Sequence, residues 1–225
     1  DPAIHIDIHS TIPAERGMGS SAAVAVAIAR SLFNFYGKVL TDKELWEIVQ
    51  SSEKIAHGNP SGIDTVTTSG KSPVFFVKDQ PIEQLSINMD AYLIVADTGQ
   101  TGQTLKAIQS VKALLSKVTY QIDSLSDPKQ AIKELGQLTK LAKEALLNNY
   151  ILELGEVMNQ AHQLLASLTV SNQTLDRLAQ AARQAGALGA KLTGGGRGGC
   201  LIALAKDKES AEKIARTLLE QGAKQ

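Results

Sequence analysis

The sequence lacks several features that would place it quickly. It has one cysteine, Cys200, which excludes an internal disulfide framework and any zinc site built from a cysteine cluster, and fits a reducing, cytoplasmic setting. No run approaches the roughly 18 apolar residues of a membrane span, and the first residues do not read as a signal peptide. Net charge is also absent: 23 Lys and Arg stand against 23 Asp and Glu. That removes the simplest electrostatic case for nucleic acid or an anionic membrane as partner. There is no initiating Met; the chain opens on Asp1-Pro2.

What remains is ordinary globular material. The 225 residues are 43% hydrophobic and 20% charged, enough for one large domain or two modest ones. Residues 3–9 alternate apolar and polar, as a half-buried strand does. A helix is expected from Ala22 to about Tyr36, stopped by Gly37, and a second to about Ala56, opened by the capping-box spacing Thr41 to Glu44. Ser61 is placed to cap a short helix through Thr68, and residues 73–77 and 91–96 read as strands. Helices are expected over about 102–118, 127–148, 151–167 and 171–185, with Asp127-Pro128 and Ser171 as starts and Gly186 as an end. Strands at 189–192 and 200–205 flank a glycine-rich loop, and a last helix spans about 208–221. The pattern is α+β, with a boundary near 86–90.

Three segments carry chemistry. In Arg16-Gly17-Met18-Gly19-Ser20-Ser21, glycines let the backbone approach a ligand, and the helix that follows offers free N–H groups. Together these suit an anion such as phosphate, and the serine hydroxyls suit Mg²⁺; a plain Gly-Ser helix cap fits equally well. The Walker A spacing and its Lys are absent. In Glu53-Lys54-Ile55-Ala56-His57-Gly58-Asn59-Pro60-Ser61-Gly62-Ile63-Asp64, Asp64 follows a tight turn that can fix a carboxylate at a cleft floor, or else serve a local cap. Glu53 sits at the border of its helix's apolar stripe, where a carboxylate snorkels to solvent or must pair, cap or bind a cation. His57 reads as structural.

The third segment, Lys191-Leu192-Thr193-Gly194-Gly195-Gly196-Arg197-Gly198-Gly199-Cys200, satisfies G-x-G-x-x-G on paper. A strand follows it where a dinucleotide fold needs a helix, so that fold is rejected. A flexible hairpin and a backbone cradle for a ligand both remain open. Cys200 reads as a small buried strand residue. The polar stretch 97–104 either contacts a substrate or caps the next helix.

In this order and spacing, the segments resemble the GHMP kinase superfamily. Residues 13–23 match P-x-x-x-G-[LM]-G-S-S-A-A, and residues 191–200 match K-[LM]-[TS]-G-x-G-x-G-G-C. Residues 55–64 are similar to the form found in the branch that phosphorylates mevalonate, of the Gram-positive bacterial type. The likeness extends to Gly155-Glu156-Val157-Met158-Asn159-Gln160.

The resemblance implies a two-domain fold. A ribosomal protein S5 domain 2-like N-terminal part would span 1–87, and a ferredoxin-like helical C-terminal part 88–225. It implies ATP and Mg²⁺ as cofactors and mevalonate, converted to 5-phosphomevalonate, as substrate. Small molecules would be the partners, not nucleic acid or membrane, with room for a homodimer. By resemblance, Asp64 is the catalytic aspartate. Arg16, Gly17, Met18, Gly19, Ser20, Ser21 and Ala22 hold the ATP phosphates, and Ser21 and Glu53 hold Mg²⁺. Thr104, Gly194, Gly195 and Gly196 face the substrate and phosphate.

Two departures bear on this. Arg197 stands where a small residue is frequent, either to touch phosphate or to face solvent. Family members also carry a segment before Ile4, with a Lys that pairs with the catalytic Asp and a Gly-Glu-His element; neither occurs here, so the chain is expected to begin inside the first domain. Two rivals stay open: another GHMP small-molecule kinase such as one acting on phosphomevalonate, or a non-catalytic fragment.

Overall fold

A computed structural model describes residues 4–58, 60–117 and 127–224. Residues 1–3 of the chain opening and expected first strand, Asn59, and residue 118 of the expected helix lie outside the described residues. The chain divides into two compact units, Asp1–Leu85 and Ser86–Gln225.

The first unit is mostly helical. Helix α1 (Ser20–Phe35) turns Ala22, Val26 and Ala29 inward against Leu45 and Val49 of α2 (Asp42–His57). Strides of four and three residues on α1, and of four on α2, are what one face of a helix requires. Thr41 caps α2 in a full capping box: its hydroxyl accepts from the Glu44 amide, and the Glu44 carboxylate accepts from the Thr41 amide. A short α3 (Ile63–Ser69) follows. Its cap is Gly62 in the left-handed region rather than Ser61, whose hydroxyl lies a long 3.4 Å from the Ile63 amide. Two-residue strands β1 (Val74–Phe75) and β2 (Glu83–Gln84) pair antiparallel; β1 is shorter than the expected 73–77, and β2 had no sequence signal.

The expected strand at 3–9 is not one. Residues 4–11 form no regular element, and Ile4, Ile6 and Ile8 are exposed. Alternation marks a face to bury, but a strand exists only through ladder bonds to a neighbour, and among the described residues none lies alongside.

The second unit is a three-stranded antiparallel sheet, β3 (Tyr92–Asp97), β4 (Gly189–Leu192) and β5 (Cys200–Ala205), in the order β3-β5-β4. Its helices are α4 (Thr104–Lys117), α5 (Pro128–Leu147), α6 (Ile151–Ser167), α7 (Gln173–Gln184) and α8 (Lys208–Glu220). Central β5 is apolar throughout, as a strand covered on both faces must be. Period two sorts its residues: Leu201, Ala203 and Ala205 join α7 and α8, while Ile202 and Leu204 join Met158 and Leu154 of α6. Asp127 caps α5 with Pro128 at its first position, as expected, whereas Asn172 and not Ser171 caps α7. Among the described residues no helix is long and apolar enough to cross a membrane.

Candidate active site

The start of α1 is open in a way that α3 and α6 share only in part: those too lack a side-chain cap bond, but each holds an acid in its first turn. The cap of α1, Gly19, is left-handed (φ 67°) and supplies no side-chain hydrogen bond, and its first turn holds no acid. Helices α2, α5, α7 and α8 all carry a side-chain cap. The first-turn N–H groups of α1 are therefore left for an anion. Gly17 is left-handed too (φ 71°), which lets the loop turn tightly into the helix. Of the residues expected here, Met18 is exposed and Ala22 buries its side chain in the α1–α2 core, so Ala22 can offer a ligand only its backbone.

Asp64 sits in the first turn of α3, beside this loop. A Cβ on Gly19 would lie 3.7 Å from Asp64 Oδ1 and 3.1 Å from Thr68 Cγ2. Glycine thus admits the loop backbone next to the carboxylate. Helix α3 is held in place by two bonds. The buried Thr65 hydroxyl donates to Gln50 Oε1 of α2 at 3.0 Å, and Arg30 Nη2 of α1 donates to the Ser69 carbonyl at 2.9 Å. Gln50 carried no signal in the sequence reading, because its partner comes from a later helix.

Glu53 continues the inward stride of Leu45 and Val49, which buries it to 2% exposure. It does not snorkel. Its Oε2 lies 3.7 Å from Nε2 of the more exposed His57, and its Oε1 has no hydrogen-bond partner. A buried carboxylate oxygen left unmet is costly, and a hard cation would satisfy it. Among the described residues no three His, Cys, Asp or Glu side chains form a metal-holding group. What fits Mg²⁺ is the one buried carboxylate with an unmet oxygen, since that ion commonly takes one or two carboxylates and completes its shell with phosphate oxygens and water. Burial, and after it the negative charge of Glu53, pushes the Asp64 carboxyl above its usual range, with His57 opposing.

In the second unit the 193–199 loop is clasped rather than loose. A Cβ on Gly195 would overlap Thr104 Oγ1 at 1.7 Å, and one on Gly196 would meet the Val170 carbonyl at 2.2 Å. The Gln103 amide donates to the Gly196 carbonyl at 3.0 Å. The buried Thr98 hydroxyl donates to the Gly199 carbonyl at 2.6 Å, and the Gly199 amide donates to the Gln100 carbonyl. The 97–103 stretch is therefore the loop's partner. Arg197 is half-buried and bonded within its own unit. Its Nε donates to the Thr169 carbonyl at 2.9 Å and its Nη2 to Ser110 Oγ of α4 at 2.8 Å, so the guanidinium ties the loop down. Cys200 is buried, as expected.

Residues 2–71 match the GHMP kinases N terminal domain, and residues 142–224 match the GHMP kinases C terminal description. A mevalonate kinase of Pyrococcus horikoshii is 37% identical over 94% of this chain and 64% of its own length; one of Aeropyrum pernix is 34% identical over 96% and 69%. The crystal structure of mevalonate kinase from methicillin-resistant Staphylococcus aureus MRSA252 superimposes with a TM-score of 0.71 at 36% identity, covering 96% of this chain and 67% of that one. That of L. major mevalonate kinase in complex with R-mevalonate gives 0.78 at 30% identity, over 91% and 62%. Against several curated mevalonate kinases the chain spans between 61% and 64% of their length, somewhat less than two thirds. With both domain descriptions matched, and relatives above 30% identity covered over two thirds of their length, the chain belongs to the GHMP kinases, in the mevalonate kinase family.

Proposed function

We propose that the protein transfers the γ-phosphoryl group of ATP to mevalonate in the presence of Mg²⁺, giving 5-phosphomevalonate. One arrangement in Asp1–Leu85 carries this reading. The uncapped start of α1 brings Gly19 against the Asp64 carboxylate, while Glu53 turns an unmet oxygen inward. Phosphoryl transfer asks a protein for positioning and neutralised charge more than for covalent chemistry. Backbone N–H groups at Gly17, Gly19, Ser20, Ser21 and Ala22, with Arg16 and Met18 in the same turn, hold the nucleotide phosphates. Glu53 and Ser21 hold Mg²⁺, which neutralises charge on the transferred group when bound. Asp64 orients the mevalonate C5 hydroxyl and accepts its proton, a role that its raised proton affinity suits. Thr104 and Gly194, Gly195 and Gly196 are the substrate-facing elements of the second unit. The R-mevalonate bound in the L. major structure supports this choice of substrate.

The test is coupled ADP release by the full-length protein, with mevalonate, phosphomevalonate, galactose and homoserine offered in turn. Turnover is expected with mevalonate. Asp64→Asn and Asp64→Ala are expected to lower kcat by about two to four orders of magnitude, the range of a lost acid-base group. Near-normal turnover by either variant would remove Asp64 from its role, and preference for another alcohol would reassign the substrate.

A further inference from the structure

Strand β4 lies at the edge of its sheet, beside β5 only. An edge strand leaves alternate amides without a ladder partner. Here two side chains of α6 replace the missing strand. Asn159 Oδ1 accepts from the Ala190 amide at 3.0 Å, and Asn159 Nδ2 donates to the Leu188 carbonyl at 3.1 Å. One turn further on, His162 Nδ1 accepts from the Leu192 amide at 3.2 Å. Close approach of the backbones makes this reach possible: a Cβ on Gly189 would lie 2.2 Å from the Gly155 carbonyl of α6.

Leu192 is the last residue of β4, and the glycine-rich loop springs from it. Accepting at Nδ1 obliges the neutral ring of His162 to carry its proton on Nε2. That nitrogen lies 3.1 Å from Asp176 Oδ1 of α7, though off the line of a well-directed hydrogen bond. The Ser171 hydroxyl donates to the same carboxylate oxygen at 2.6 Å. The ring is 4% exposed. We propose that His162 is a positioning residue: its neutral imidazole, held between Asp176 and the Leu192 amide, anchors the root of the 193–199 loop, and protonation at Nδ1 releases it. The consequence for catalysis rests on the reading that this loop faces substrate and phosphate.

The sign follows from the chemistry. A protonated Nδ1 is a donor, and it would face another donor, the Leu192 N–H. Burial, foremost, holds the imidazole below its usual range. Asp176 of α7 acts to raise it, while Arg183 of α7 and Lys191 of β4 act to lower it. The Lys191 ammonium, which donates to the Leu192 carbonyl at 2.6 Å, stands at the same strand end. The clamp is thus closed at neutral pH and opens only in acid.

Amide hydrogen exchange on the full-length protein, read as protection against pH, tests this directly. In the wild type, protection at Leu192 and through the loop is expected to fall by about tenfold or more as pH drops below the usual imidazole range, the worth of one buried hydrogen bond. His162→Asn puts an oxygen that does not titrate near the place of Nδ1, and should keep protection with no acid step. His162→Phe should lose it at every pH while Ala203 in β5 stays protected. Protection that ignores pH in the wild type, or survives in a folded His162→Phe, overturns the clamp. The acid limb of kcat is then compared. If turnover follows the clamp, it should flatten in His162→Asn. A pH-dependent clamp whose loss leaves that limb unchanged overturns the loop's part in the reaction and spares the clamp.

Discussion

Asp64 shows how a site residue can be read from sequence in type and missed in setting. Its position after a Pro and Gly turn was legible, because turn chemistry is local. The neighbours that raise its proton affinity were not. Glu53 is eleven residues away on another helix, and the enclosure comes from folding. The shift has a consequence for stability. A carboxyl that holds its proton more tightly folded than unfolded favours folding most below the unfolded carboxyl range, and that favour is lost as pH rises through the folded value. At neutral pH the ionised Asp64 is therefore a burden on the fold, though a modest one because the side chain keeps an exposed face. The start of α3 favours a negative charge and works the other way, but the net direction is upward. Asp64→Asn is expected to raise Tm slightly at pH 7 and to lose that gain near pH 3. Thermal melts at both values check it; a lower Tm at pH 7 would show that the fold gains from this charge.

At the scale of elements, helices were legible and their clasps were not. Thr41 with Glu44, and Asp127 with Pro128, announce helix starts because a cap and its partner lie within one turn. The 4–9 segment failed for the opposite reason, since a strand is defined by something outside itself. The glycine loop lies between. Its composition promised close approach, yet the groups approached, Thr104 and Val170, are distant in sequence. The same reasoning separates two glycines that look alike in a string of letters. A Cβ at Gly189 would strike the Gly155 carbonyl, whereas one at Gly136, inside α5, would meet nothing within 4 Å. Gly189→Ala is expected to cost about 1–3 kcal/mol, as overpacking does. Gly136→Ala should add about 0.5–1 kcal/mol by relieving a helix interior of its glycine. Denaturant titration of both reads the contrast, and equal effects would refute the close approach of α6 to β4.

At the scale of the whole chain, zero net charge excludes little for the proposed activity, because the positive potential a small anion would need is local, at the uncapped start of α1. The two units differ instead in what they bury. The second sorts the two faces of one sheet against helices, with Leu175, Leu178, Leu201 and Ile214 fully enclosed. The first closes a small core of three alanine and valine positions on α1 over Leu45 and Val49, and leaves Ile4, Ile6 and Ile8 exposed. Local stability follows buried apolar surface, so the units should open at different free energies. In this 225-residue chain, amides of α1, α2 and α3 are expected to exchange faster than those of β5, α7 and α8. Adding ATP with Mg²⁺ should narrow the difference. A ligand that binds only the folded unit stabilises it by about 2.7 kcal/mol at a hundredfold excess over Kd. The gain should be greatest at the amides of Ser20, Ser21 and Ala22, where the phosphates would lie. Exchange measured with and without nucleotide decides the matter: equal rates in the two units would refute the ranking by core, and a nucleotide effect that bypassed α1 would refute the anion site at its start.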